Sequence, residues 1–191
     1  MSRKWKDYNC WVCFYEDDRF FECFWSNPRK YLKRLKKFLG VISLDFSLEI
    51  YGPWSYNFIQ TYRGRALAAW LQDNGVPVIV NVRYANAESA DFCCEGVPCD
   101  GTIAIGTLSC LRNKEKRRVL IEGLEFIVSK LNPKTIVVYG GCPDSIFGKY
   151  RRMGIQIVPC KALTRIARDA SKKRARIAAN ESMEKIQGRL F

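Results

Sequence analysis

Hydrophobic residues recur along the chain in two alternating patterns. Short runs rich in β-branched residues predict buried strands, and longer segments with apolar residues three or four positions apart predict helices between them. The strands are predicted at 41–46, 76–82, 101–107, 135–139 and 155–158, and the helices at 28–39, 54–74, 114–131 and 145–153. Strands that alternate with helices are typical of a mainly parallel sheet. The prediction is an α/β domain with a sheet of about five strands and helices on both faces, either doubly wound or a partial barrel.

Two of the predicted helices have distinct apolar faces. In the helix 54–74, one face carries Phe58, Ile59, Tyr62, Ala66, Ala69 and Trp70. In the helix 114–131, which Asn113 is expected to cap, the stripe predicted to be buried comprises Val119, Leu120, Leu124, Ile127 and Val128. Amphipathic helices of this kind cover the faces of a sheet.

The first 40 residues are less regular and are expected to pack on the domain. Alternation over 7–16 is compatible with an extra strand, and 17–25 looks like a short aromatic helix. Five aromatic residues fall in this part: Phe14, Tyr15, Phe20, Phe21 and Phe24. They can form either a platform on which bases stack or a core that seals one end of the sheet, and the core is favoured.

The charge of the chain is unevenly distributed. Lys and Arg number 32 against 19 Asp and Glu, which gives a net charge of +13. One cluster lies on the helix 28–39, where Asn27 and Pro28 are expected to begin the helix and Gly40 to end it. Its basic residues are Arg29, Lys30, Lys33, Arg34, Lys36 and Lys37. A helix with this composition has a cationic outer face.

A second basic segment follows the predicted domain, which spans 1–160. The tail 161–191 has nine basic residues against three acidic ones and is predicted to be helical over 163–188. Its densest part comprises Lys172, Lys173, Arg174 and Arg176. The tail is expected to contact a polyanion or to pair with a second copy or a host protein.

The chain contains no histidine. That absence excludes Ser-His and Cys-His catalytic pairs and His-ligated metals.

The chain has nine cysteines but neither a secretory signal nor an apolar span of transmembrane length. The protein is therefore expected in a reducing cytoplasm, with its thiols free and buried. A zinc site built from Cys10, Cys13, Cys93, Cys94 and Cys99 is the less favoured interpretation, because the second group lacks a two-residue spacing.

Polar residues cluster where the predicted strands end. Asp45 lies at the end of the first strand of the core, Asn81 and Arg83 lie at the end of the second, and Asp91 and Glu95 come in the next turn. The carboxyl ends of parallel strands form the usual ligand edge of such sheets.

Three interpretations of these polar residues remain open. Asp45, Asp91 and Glu95 can hold Mg²⁺ for phosphodiester chemistry. Arg83 and Asn81, with Thr107 and the Gly140-Gly141 backbone, can bind a phosphate without reaction. Alternatively, Asp45 and Arg83 form an internal salt bridge and Asp91 caps a helix.

A series of short motifs resembles a known family. They are Asp7-Tyr-Asn-Cys-Trp-Val, Phe24-Trp-Ser-Asn-Pro, Gly40-Val-Ile-Ser-Leu-Asp-Phe-Ser47, Asn81-Val-Arg-Tyr84, Asp91-Phe-Cys-Cys-Glu-Gly-Val-Pro98, Arg112-Asn-Lys114 and Lys134-Thr-Ile-Val-Val-Tyr-Gly140. The family is a domain of unknown function carried by phages, plasmids and bacterial genomes, and the resemblance covers residues 7–158. It implies a phage or mobile-element setting and no reaction. In the family that it resembles, a His-Gly pair stands where this chain has Leu108-Ser109, a departure that weighs against an enzyme.

Three classes of function follow from these features. The charge favours a protein that binds DNA or RNA through phosphate contacts made by the basic helix, the tail and Arg83. The alternative is a metal-dependent enzyme that processes nucleic acid at the strand ends. A phage factor that binds a host protein is the third. No membrane contact is expected, and no cofactor other than Mg²⁺ in the second case.

Overall fold

The computed structural model describes residues 7–162 and residue 171. Its strands are β1 (Trp11–Val12), β2 (Gly40–Ile42), β3 (Val78–Asn81), β4 (Thr102–Gly106), β5 (Thr135–Tyr139) and β6 (Gln156–Cys160). Its helices are α1 (Glu22–Ser26), α2 (Pro28–Leu35), α3 (Trp54–Asp73), α4 (Lys114–Leu131) and α5 (Asp144–Arg152), with short 3-10 helices at Asp18–Phe20 and Ala87–Asp91. The chain forms two compact units, 1–159 and 160–191.

The six strands form one sheet whose spatial order follows the chain from β1 to β6. The register is parallel in each pair from β1·β2 to β4·β5. The predicted α/β fold with a mainly parallel sheet is therefore confirmed. Because the strand order never reverses, the sheet has no switch point of the doubly wound kind and has the order of a partial barrel. The sheet curls so far that Tyr15, just after β1, stacks on Tyr139 at the end of β5 with ring centroids 4.4 Å apart.

Most predicted boundaries agree with the structure, and α4 and β5 coincide with the predictions. Asn113 caps α4 as expected, since its side chain accepts a hydrogen bond from the Lys116 backbone N–H. The predicted helix 28–39 ends early, at Leu35, and Asn27 makes no side-chain capping bond. The reason is that the Leu39 N–H bonds the Cys10 carbonyl at 3.2 Å, which draws the chain into the sheet. Gly40 accordingly begins β2 instead of ending the helix.

Two apolar clusters form the core of the first unit. One lies between strands β3 to β6 and helices α4 and α5, and the other joins β2 and the N-terminal segment to α2 and α3. The N-terminal aromatic residues belong largely to the core, as favoured above: Phe14, Tyr15 and Phe21 are buried, Phe24 packs against them, and Phe20 is exposed. The predicted strand over 7–16 is only two residues long.

Helix α3 is oriented in a way that its apolar pattern does not suggest. Its buried residues are Asn57, Gln60, Gly64, Leu67, Ala68 and Leu71. The apolar face noted in the sequence lies on the other side, where Ile59 is 53% and Tyr62 57% exposed. Two local interactions fix this orientation. Asn57 both donates to and accepts from the Glu49 backbone at 2.9 Å, and Gly64 lets the helix approach the Leu44 carbonyl, which an added Cβ would meet at 3.2 Å.

Within the part of the chain described, no helix is both long and apolar enough to cross a bilayer. Apart from residue 171, the predicted tail helix at 163–188 lies outside the described residues, and so do Lys172, Lys173, Arg174 and Arg176.

Candidate functional site

A hydrogen-bonded network joins polar side chains at the carboxyl ends of the first strands. Asn81, the last residue of β3, donates from Nδ2 to Asp45 Oδ1 at 2.7 Å, and its Oδ1 accepts from the Tyr15 hydroxyl at 2.9 Å. The Arg83 guanidinium pairs with the other Asp45 oxygen at 3.0 Å. The structure therefore brings together Asp45, Asn81 and Arg83, as the strand ends predict. It also shows the internal salt bridge that was one of the three interpretations.

Tyr15 is a member of this network that the sequence predicts only as part of an aromatic platform or, preferably, an aromatic core. It reaches the strand ends because the sheet curls, so its ring lies over Gly106 at the end of β4. A Cβ on Gly106 would come within 2.8 Å of that ring. Strand order and curvature, which set this contact, have no local signal in the sequence.

A cavity of about 120 Å³ opens beside the network, between the ends of β3 and β4 and helix α4. Its apolar wall includes Val82, Ile105, Leu120, Leu124 and Ile127, and its polar residues include Asp45, Arg83, Ser109, Cys110 and Lys116. Burial lowers the pKa of Arg83, but the Asp45 carboxylate outweighs that effect and leaves this pKa raised, so the guanidinium stays charged. Burial raises the pKa of Cys110, so its thiol remains protonated at neutral pH. The cavity therefore presents a paired cation and a neutral thiol beside an apolar wall.

The groups proposed to cradle a phosphate are largely engaged within the protein. The Thr107 hydroxyl donates to the Gly141 carbonyl at 2.7 Å. Both ends of the Asn81 amide have partners, as described above. Gly140 adopts a positive φ of 117°, and a Cβ there would come within 2.6 Å of Thr107 Oγ1, so this turn requires glycine. Arg83 is the member of the set with a partly exposed cationic side chain, at 38%.

The three candidate metal-binding carboxylates do not share one site. Asp45 lines the cavity, whereas Asp91 and Glu95 are exposed and are not among its lining residues. Asp91 does not cap a helix either: it ends a 3-10 helix that Asn86 caps, with the Ser89 N–H 3.0 Å from Asn86 Oδ1. Across residues 7–162 and 171, no three His, Cys, Asp or Glu side chains are grouped to hold a metal ion.

The nine cysteines are less buried than expected. Only Cys93 and Cys94 are fully buried, with sulfurs 3.8 Å apart. Cys23 and Cys99 are exposed, and the other five are intermediate. The expectation of generally buried thiols is therefore wrong. Adjacent apolar residues do not bury a cysteine when the element that carries them lies at the surface.

Arg65 of α3 is a partly buried cation that no sequence pattern indicated. Its guanidinium donates to three backbone carbonyls, those of Asn81 at 2.9 Å, Cys93 at 2.8 Å and Glu95 at 3.1 Å. Burial lowers its pKa to about 10. Through these hydrogen bonds, Arg65 connects residues 93–95, which follow the 3-10 helix Ala87–Asp91, to Asn81 at the end of β3.

A different surface concentrates unpaired positive charge. The side chains of Arg29, Lys30, Lys33, Arg34, Lys36 and Lys37 are all exposed, as predicted. Within the described residues none of these six forms a salt bridge, whereas Arg19, Arg63, Arg83, Arg118, Lys149 and Arg151 are each paired with a carboxylate. We call the first six residues the α2 basic face.

Two of these cations lie near aromatic rings. Lys37 Nζ is 5.6 Å from the centre of the Tyr8 ring, and Lys30 Nζ is 5.8 Å from that of Tyr31. Exposed cation–π contacts of this kind are weak, about 0.5–1 kcal/mol, and leave the ammonium groups available to anions. The α2 basic face is thus cationic, exposed and free of internal neutralisation by the described carboxylates.

The chain is similar to known phage proteins. The chain is 31% identical over 127 residues to the Gene 1 protein of Mycobacterium phage L5, covering 66% of this chain and 56% of that protein. It is 29% identical over 127 residues to the Gene 1 protein of Mycobacterium phage D29, covering 66% and 47%. The chain thus spans about half the length of the curated relatives it matches. No solved structure matches it. The family described as Domain of unknown function (DUF4417) matches residues 1–158, and the chain belongs to that family.

Proposed function

We propose that this protein binds nucleic acid, using the α2 basic face to contact phosphates, in the cytoplasm of a cell that carries a phage or mobile element. The observation that carries the proposal is the set of six exposed cations on and just after α2, none paired with a described carboxylate. A net charge of +13 strengthens the attraction of a polyanion at long range. Release of counterions from the phosphates supplies the free energy of binding.

The spacing of these residues suits a continuous backbone contact. Helical positions four apart lie on the same side, so Arg29 aligns with Lys33, and Lys30 aligns with Arg34. Lysine recognises phosphate as a mobile point charge without base specificity. Binding through this surface is therefore expected to be insensitive to sequence. The basic tail 161–191 is proposed to add further phosphate contacts.

The test compares two triple variants with the same change in charge. Lys30→Gln, Lys33→Gln and Lys37→Gln are combined in one, and the control combines Lys114→Gln, Lys130→Gln and Lys134→Gln, which are exposed lysines in and beside α4. Dissociation constants for single-stranded DNA, double-stranded DNA and RNA are measured by fluorescence anisotropy over a range of salt concentrations. If all three α2 lysines contact phosphates of duplex DNA, the log–log salt slope falls by about 2.7 in the first variant.

The control variant separates a local contact from the general effect of net charge. It is expected to lower affinity only slightly, with a slope close to that of the wild type. Equal losses in both variants would show that affinity follows net charge alone and would overturn the assignment to the α2 basic face. Absence of salt-dependent binding to any of the three nucleic acids would overturn the proposed function itself.

A further inference from the structure

An apolar stripe on α3 faces solvent, although such stripes usually pack against a core. It consists of Phe58, Ile59, Tyr62, Ala66 and Ala69, which we call the α3 stripe. The side chains of Phe58, Ile59 and Tyr62 are 38%, 53% and 57% exposed. The opposite face of α3 is buried, so the helix cannot turn the stripe inward without breaking the contacts of Asn57 and Gly64.

The segment that carries the N-terminal half of the stripe is uncharged, since no charged residue occurs from position 50 to position 62. The next two cations of the helix are engaged with the protein: Arg63 pairs with Glu22 and stacks on Phe46 at 4.0 Å, and Arg65 binds three carbonyls as described. A phosphate backbone therefore finds neither of these cations available on α3. This surface suits a protein partner better than a nucleic acid.

The exposed apolar area is enough for the centre of a protein interface. Trp54, exposed by 42%, extends the stripe by one turn at its N-terminal end, where it stacks on Phe58 with ring centroids 4.8 Å apart. With bulky side chains of about 150–250 Å² each, the exposures of these residues correspond to roughly 400 Å² of apolar surface. A standard interface buries about 800 Å² on each partner, so the stripe supplies about half of that area and the polar residues around it supply the rim.

The stripe is complementary to itself. Its bulky residues lie toward the N-terminus of α3 and its two alanines toward the C-terminus. If two α3 helices cross antiparallel about a twofold axis, Tyr62 of one copy meets Ala66 of the other and Ile59 meets Ala69. Large residues then pack against small ones, as close-packed helices require. A twofold contact of this type is isologous and closes on itself.

We propose that two copies of this chain form a dimer through the α3 stripe, with the two α3 helices antiparallel. Because no residue of the stripe is charged, contact through it adds no pair of like charges between two copies that each have a net charge of +13. The inference is independent of nucleic-acid binding.

The test is analytical ultracentrifugation of the full chain, free of nucleic acid, at up to about 100 μM protein and about 0.3 M salt to screen repulsion. Tyr62→Lys places two like charges beside the twofold axis and is expected to raise the dimer dissociation constant at least about tenfold. Met153→Lys is the control, since it adds the same charge at a 65% exposed apolar residue just after α5. Far-UV circular dichroism establishes that both variants are folded.

A size exchange tests the specific pairing. Ile59→Ala alone is expected to weaken the dimer, and adding Ala69→Ile in the same chain is expected to restore it, because the twofold axis returns a bulky residue opposite a small one. A wild-type protein that remains monomeric at about 100 μM overturns the proposal. So does a Tyr62→Lys variant that dimerises like the wild type. A dimer weakened by Ile59→Ala and weakened further by Ala69→Ile refutes the antiparallel register.

Discussion

Replacing Arg65 by methionine is expected to destabilise the fold by about 2 to 6 kcal/mol. Arg65 donates to the carbonyls of Asn81, Cys93 and Glu95 at 2.8 to 3.1 Å, and methionine fills similar space without a donor. The substitution leaves three carbonyl oxygens without this partner in a partly buried region. The segment that follows the 3-10 helix then loses its attachment to the end of β3.

Two opposing terms set the magnitude. Each hydrogen bond from a charged donor contributes about 1.5–3 kcal/mol, so the three together contribute about 5–9 kcal/mol. Burial lowers the pKa of Arg65 from 12.5 to about 10, which corresponds to about 3 kcal/mol against the charged form that methionine avoids. The difference is the expected loss of stability.

Urea unfolding followed by tryptophan fluorescence measures this loss, and a scan of temperature should show a midpoint lower by roughly 10 °C. Arg112→Met is the control, since Arg112 is exposed and its substitution is expected to change stability by less than about 0.5 kcal/mol. A variant at Arg65 as stable as this control would refute the reasoning, because it would mean that the three carbonyls are satisfied equally well by water.

Two further predictions concern the strand ends and α4. Gly106→Ala places a Cβ 2.8 Å from the Tyr15 ring and is expected to cost about 1–3 kcal/mol in urea unfolding, whereas Gly101→Ala, with 3.6 Å to its nearest neighbour, is expected to be tolerated. Burial raises the pKa of Tyr84 to about 12 from 10, and its hydroxyl also donates to Glu122 at 2.6 Å. The protonated Tyr84 hydroxyl therefore contributes fully to the free energy of unfolding below pH 10, and this contribution is lost as the pH rises from 10 to 12. The loss of stability over this pH range is expected to be smaller in Tyr84→Phe. An unchanged pH profile in that variant would contradict the prediction.

Local patterns were sufficient to predict most elements of the fold. The strand β5 and helix α4 occur where β-branched runs and an Asn-capped apolar repeat place them. The juxtaposition of Asp45, Asn81 and Arg83 was also predictable, because all three lie at or just after the carboxyl ends of neighbouring parallel strands. The same rule failed to gather Asp91 and Glu95, because the segment that carries them folds into a 3-10 helix and the loop after it, with both side chains exposed.

The sequence by itself determined the alternation of strands and helices, the excess of positive charge and its concentration on α2, because these depend on residue types and short spacings. The tertiary structure decided which side of each helix is buried and how the strands are ordered. On α3, two hydrogen bonds between Asn57 and the Glu49 backbone and the close approach at Gly64 turn the face with Asn57 and Gln60 inward and leave the apolar stripe exposed. The curl of the sheet brings Tyr15 to Asn81, 66 positions away in the chain. Both outcomes depend on contacts between distant segments, which no local pattern encodes.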